Sequence, residues 1–338
     1  MKRILPDYIV LNLHKRYTGV SATIKHLVPI QQQELDIAVV DFGNLNLKNT
    51  WSLVQVILYG WTKPMHGNYR VWHARRDIDM IIGIILKYVL RQKWKLLFTS
   101  AAPKKPGYIL NKLIKNMDAV IATSKRAANF IPWHSIIIHH GVDTSLFKPR
   151  DTNAKTQNLI GSFGRIRDSK GSDLLVKALV EVLPKNKEWS AFFSGLAKDI
   201  SYKEDLENII EDAGLSERII FLGDQSQEQI YENYNKCSIV AACSRVEGFG
   251  LTPLEAMASG VAALTSKAGF WPELIIPGEN GNIFETNNLE DLIQKLNTML
   301  KSKEKLEEMG IKARKYVVEK HSIENEAKQI NMFYKKIT

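Results

Sequence analysis

The stretch Arg245 to Gly260, R-V-E-G-F-G-L-T-P-L-E-A-M-A-S-G, limits the possible folds of this chain more than any other. Cys237 to Ala242 ahead of it is apolar throughout, as a buried strand requires, and Leu254 to Ala258 behind it reads as a helix. Thr252, Pro253 and Glu255 fit the N-cap, first and third helical positions of a capping box. Glu247-Gly248-Phe249-Gly250-Leu251 is then a strand-to-helix loop that brings backbone N–H groups to a helix start. That arrangement takes up an anion without a basic side chain. Two carboxylates border the loop, Glu247 and Glu255. Taken alone, Glu255 serves equally well as a helix cap and Glu247 as a solvated loop carboxylate.

Strands and helices alternate along the rest of the chain. Tyr8 to Leu13 reads as a strand, followed by a turn containing Gly19 and a helix from about Ala22. A glycine at such a turn lets backbone approach a ligand. Glu34 to Phe42 reads as a second strand and Leu53 to Leu58 as a third. Tyr69 to Trp72 is a short strand ending at His73-Ala74-Arg75-Arg76, with a helix over Ile78 to Leu90 and a strand at Lys95 to Phe98. Strand–helix–strand units with short connections build parallel sheets, and such sheets hold ligands just past the C-terminal ends of their strands. His73 occupies such a position. Pro103 to Met117 sets Lys104, Lys105, Lys112 and Lys115 beside apolar residues, a pattern that suits either a helix lying on an anionic membrane or an ordinary solvated surface helix.

The polar stretch Arg150 to Gln157 reads as a linker. Asn158 to Phe163 then opens a second series of strands, and Gly164-Arg165-Ile166-Arg167-Asp168-Ser169-Lys170-Gly171 leads into a helix near Ser172. Arg165 and Lys170 on a glycine-bearing loop suit a diphosphate, with the arginine offering a planar fork and the lysine a point charge.

At 338 residues the chain fits two domains. Its net charge of +10 is unevenly spread: residues 1–150 hold 22 Lys and Arg against 8 Asp and Glu, the remainder 24 against 28. The basic half suits an anionic partner, whether membrane lipid, phosphorylated glycolipid or nucleic acid. No zinc-finger spacing or RNA-binding aromatic motif supports the last of these, so a basic non-enzymatic membrane or nucleic-acid-binding protein is the weaker reading. No clustered His, Cys and Asp set has metal-ligand spacing. The first residues lack the apolar run of a signal peptide, and Met80 to Val89, the most apolar stretch, falls short of a membrane span.

Several of these features together resemble the retaining glycosyltransferases of family 4. They are Glu247 and Glu255 at E-x7-E spacing around G-F-G, the following A-M-A-S-G, the G-R-x4-K-G of Gly164 to Gly171, and Gly141-Val142-Asp143 with Phe147 and Pro149. The resemblance implies an α/β chain of GT-B fold, two Rossmann-like domains facing across a cleft. Residues 1–150 would form the acceptor-side domain, 151–322 the nucleotide-sugar domain, and 323–338 a helix crossing back to the first. It implies a catalytic set of Glu247, Arg165, Lys170 and His73. Donor-binding residues would be Gly19, Gly164, Gly248, Phe249, Gly250, Leu251, Thr252 and Glu255, with Glu247 toward the sugar and Glu255 toward the ribose. Arg75 and Arg76 would lie on the acceptor side. The chain departs from the family's usual pattern in lacking adjacent glycines at Gly19, in placing Arg75 where a second histidine is common, and in placing Ala262 where proline is usual.

Within the family, Lys15 to Pro29 and Trp72 to Arg76 look most like bacterial lipopolysaccharide-core mannosyltransferases. That likeness implies a nucleotide-sugar donor, GDP-mannose, with UDP-glucose or UDP-galactose as the alternative. It also implies an anionic glycolipid acceptor, a cytoplasmic, peripheral place at the inner face of the membrane, no nucleic-acid partner, and neither cofactor nor metal.

Overall fold

The apolar runs form two parallel sheets in the computed structural model, which describes residues 5–16, 18–102, 104–131, 133, 135–149 and 157–338. The chain divides into two units, one made of the residues through Gly141 together with Ile323–Thr338, the other of Val142–Ser322. The expected linker falls on residues 150–157, of which 150–156 lie outside the described residues.

The first unit contains β1 (Tyr8–Asn12), β2 (Ile37–Asp41), β3 (Arg70–Ala74), β4 (Trp94–Ser100), β5 (Ala119–Ala122) and β6 (Ile136–Ile137), in the order β2-β1-β3-β4-β5-β6. The strand expected at Leu53 to Leu58 is instead a helix, Leu53–Tyr59. Its β-branched residues favour a strand, but Ser52 and Gln55 close a capping box: the Ser52 hydroxyl accepts from the Gln55 N–H at 3.2 Å and the Gln55 side chain accepts from the Ser52 N–H at 3.0 Å. What remains of an outer strand is a single bridge between Thr50 and Val39. The basic helix expected over Pro103 to Met117 is confined to Tyr108–Lys115, with Gly107 at its N-cap and Asn116 at its C-cap; Pro103 is outside the described residues.

One face of this sheet is covered by helix Gly19–Gln31 and the C-terminal helix Ile323–Ile337. Ile323, Ala327, Ile330 and Tyr334 of the C-terminal helix join Val10, Val39, Val71 and Leu97 of the strands in one buried cluster. The two helices are also joined by a buried bond from Gln31 to Asn331 at 2.9 Å.

The second unit contains β7 (Leu159–Phe163), β8 (Ser190–Ser194), β9 (Ile219–Gly223), β10 (Ile239–Ala242), β11 (Ala262–Ser266) and β12 (Gly281–Phe284). Read from its other edge, the order β12-β11-β10-β7-β8-β9 is the 3-2-1-4-5-6 of a dinucleotide-binding sheet. The strand order reverses between β7 and β10, and the crevice at such a reversal is where doubly wound sheets bind ligands. Among the described residues, no helix is long and apolar enough to cross a membrane.

Candidate active site

The two loops singled out in the sequence leave β7 and β10, the adjacent strands at the reversal. Ser162, Phe163, Gly164, Arg165, Lys170 and Thr252 line one indentation there, together with Ala242, Cys243 and Trp271. Gly171 makes this convergence possible. Its φ of +67° is one that residues with a side chain rarely adopt, and a Cβ there would lie 2.1 Å from the Cys243 carbonyl oxygen. The loop after β7 can therefore lie directly against the end of β10.

That approach puts Lys170 Nζ 2.5 Å from Glu247 Oε2. The carboxylate is further held by the Ser244 hydroxyl at 3.3 Å and by the Gly248 N–H, which donates to Oε1 at 3.2 Å. Arg165 is exposed and, among the described residues, has no side-chain partner. The loop after β10 is pinned from outside by Arg245, which makes a two-pronged contact with Asp173 at 2.7 and 2.8 Å. Gly250 sits at φ +82° beneath Trp271, whose indole N–H donates to the Gly250 carbonyl at 3.0 Å. Phe249 is buried in a stack with Phe270 rather than facing the indentation.

The helix start differs from the sequence expectation. Helix Thr252–Ala258 takes Leu251 as its N-cap and has no side-chain cap, because Leu251 is already in the helical region. Thr252, Pro253 and Glu255 therefore form no capping box. Glu255 instead accepts a hydrogen bond from the Tyr234 hydroxyl at 2.7 Å. Burial pushes the Glu255 carboxyl above its ordinary range, while the Tyr234 bond and the charge of Lys170 pull it back. Glu255 thus has no helix-capping role, and its carboxylate pairs with Tyr234 instead.

Gly19 opens helix Gly19–Gln31 in the first unit, and a Cβ there would meet nothing, so neither backbone strain nor crowding demands glycine. His73 is buried at 1% exposure, with Nδ1 2.6 Å from the Tyr334 hydroxyl and Nε2 2.7 Å from the Thr99 hydroxyl. Burial, then the charge of Arg75, hold it well below the usual histidine range, so it is neutral and both ring nitrogens are engaged. This arrangement ties β3, β4 and the C-terminal helix together and leaves no ring nitrogen for a substrate. Arg75 is also buried and donates to the Thr23 hydroxyl at 3.1 Å, while the half-buried Arg76 donates to the Thr18 hydroxyl at 2.6 Å. Arg76 therefore braces the loop after β1, and Arg75 the helix that follows it.

Sequence reasoning passed over Tyr234, Trp271 and Ser244. The first two are aromatic residues, which the sequence does not distinguish from core packing. Ser244 lies three residues before Glu247, a spacing that marks a local side-chain contact only once the loop's course is known.

The family profile described as "Glycosyl transferases group 1" matches residues 144–316. The lipopolysaccharide core biosynthesis mannosyltransferase LpcC of Rhizobium leguminosarum bv. viciae is 38% identical, covering 97% of this chain and 96% of that protein. The lipopolysaccharide core biosynthesis mannosyltransferase LpsB of Rhizobium meliloti is 33% identical, covering 98% and 97%. Among solved structures, Anabaena HepE in complex with UDP and glucose is similar in fold, with a TM-score of 0.80 at 19% identity, over 97% of this chain and 99% of that one.

Proposed function

Because the chain belongs to the group 1 glycosyltransferases and has their GT-B fold, we propose that it transfers mannose, with retention, from GDP-mannose to an anionic glycolipid of the lipopolysaccharide core type. The observation that carries this reading is the meeting of Lys170, Arg165 and Glu247 over the strand reversal between β7 and β10, with Glu255 nearby. Two like-charged carboxylates beside two cations suit a ligand that bears both hydroxyls and a diphosphate. The mannose and the glycolipid follow from the relatives' names, LpcC and LpsB.

In this mechanism the bond from the sugar's anomeric carbon to the diphosphate oxygen breaks and a bond from that carbon to an acceptor hydroxyl oxygen forms. The hydroxyl proton passes to the departing phosphate, giving a nucleoside diphosphate and the extended glycolipid. Lys170 and Arg165 stabilise the negative charge that builds on the leaving group. Glu247 accepts from sugar hydroxyls and Glu255 from the ribose. These carboxylates bind and orient; they are not the acid and nucleophile of a hydrolase. Gly164, Gly248, Gly250, Leu251 and Thr252 supply backbone close to the donor. The helix that starts at Thr252 has only 7 residues, so its dipole adds less than the side-chain cations.

A panel of sugar nucleotides with donor hydrolysis as readout tests the reading. GDP-mannose is the expected substrate. Turnover confined to UDP-glucose or UDP-galactose would replace the donor, a choice that the UDP and glucose bound by HepE keep in view.

Tyr108 and Ile109 are exposed at the start of helix Tyr108–Lys115, which also carries Lys112 and Lys115. We place this surface of the basic half on the anionic cytoplasmic face of the membrane. Vesicles rich in anionic lipid are expected to sediment the protein at low salt and release it at high salt. Binding that ignores both lipid charge and salt would remove the membrane assignment.

A further inference from the structure

We propose that Tyr234 is a positioning residue for the nucleotide: its hydroxyl fixes one oxygen of the Glu255 carboxylate and so presents the other to the ribose hydroxyls. This rests on the reading of Glu255 as the ribose acceptor.

Tyr234 lies on helix Gln227–Lys236, Glu255 on helix Thr252–Ala258. The phenol is fully buried, and its ring lies flat on Phe163, with centroids 3.8 Å apart and planes 9° from parallel. Phe163 is the last residue of β7 and immediately precedes Gly164. Phe147 closes on the same ring edge-on at 5.5 Å. The stack fixes the plane of the phenol, and the plane fixes the aim of its hydroxyl. One ring thus couples the glycine loop that would receive the diphosphate to the carboxylate that would receive the ribose.

The chemistry of the pair has a direction. Burial, then the nearby Glu255 charge, push the Tyr234 phenol well above its usual range, so it remains a donor. Glu255 is faced by Tyr234 and by the charge of Lys170 from the loop after β7, and Thr252 also bonds to Tyr234. Without the hydroxyl, burial would be opposed by Lys170 alone, and Glu255 would protonate more readily. A protonated carboxyl spends one lone pair as an O–H donor and is a poorer acceptor for a diol. A residue that merely fills the core would not make nucleotide binding sensitive to acid.

The experiment is calorimetric titration of GDP and UDP into the full chain, the Tyr234→Phe variant and the Glu255→Gln variant, from neutral to acidic pH, with steady-state kinetics alongside. Tyr234→Phe keeps both ring contacts. It is expected to weaken nucleotide binding about tenfold, the loss of one hydrogen bond to a charged group. KM for the donor should rise far more than kcat falls, and the deficit should widen as pH drops. Wild-type affinity at every pH in Tyr234→Phe, beside weak binding in Glu255→Gln, overturns the proposal and leaves the ribose role of Glu255 standing. Undiminished binding in Glu255→Gln overturns that role and the proposal with it. If circular dichroism shows Tyr234→Phe unfolded, 3-fluorotyrosine at position 234 replaces it. This stronger donor should carry nucleotide binding to lower pH, and an unmoved profile overturns the proposal.

Discussion

Lys170→Ala is expected to slow glycosyl transfer by about a hundred- to a thousandfold, the usual loss on removing one preorganised group from a developing negative charge. The fold of the second unit should survive, because the lysine is partly exposed and Glu247 keeps Ser244 and the Gly248 N–H as partners. The effect should exceed that of Arg165→Ala. Arg165 is exposed and has no side-chain partner among the described residues, so solvent and salt screen its charge and its side chain must be ordered when the donor binds. Lys170 is already held at the strand reversal by the approach that Gly171 allows. The measurement is the initial rate at saturating donor, with thermal unfolding as the control for folding. Turnover within a few-fold of wild type would remove Lys170 from the mechanism.

The parts of this site that could be read in the sequence are those set by local chemistry. Glycines beside charged residues at strand ends announce loops that approach a ligand, and Gly164, Arg165, Lys170 and Thr252 from those two stretches do line one indentation. The parts that could not be read depend on contacts between distant segments. The pairing of Glu255 with Tyr234 spans 21 positions and involves an aromatic residue that looks like core. The capping box failed by one residue: Leu251 had already turned into helical conformation, so the Thr252 side chain no longer stood outside the helix. Leu53 to Leu58 misled in the opposite way, its β-branched run hiding a capping box at Ser52 and Gln55. His73 sat where an α/β sheet places ligand-binding groups, yet its two partners, Thr99 and Tyr334, lie 26 and 261 positions away.

That last contact carries the second large effect. Tyr334→Ala is expected to destabilise the first unit by about 3–5 kcal/mol, as for other buried aromatic truncations. The ring is fully buried, stacked on Tyr8 with centroids 5.0 Å apart, and its hydroxyl holds His73. Its removal opens a cavity beside β1 and leaves a buried imidazole nitrogen without a partner. The measurement is thermal unfolding followed by fluorescence of Trp51, Trp72 and Trp94, all buried in this unit. The pH dependence carries a sign. His73 is neutral when folded but takes a proton near pH 6.5 when unfolded, so its share of stability is intact above that pH and drains away as pH falls, by at most about 1.4 kcal/mol per unit. Asp79 works in the opposite sense: burial raises its carboxyl to about 6, so the folded chain takes up a proton before the unfolded one as pH falls from there. Removing the imidazole isolates the first effect. The melting temperature of His73→Gln relative to wild type should therefore climb as pH falls below 6.5, and a constant difference would show that His73 takes up its proton at the same pH in the folded and unfolded chain.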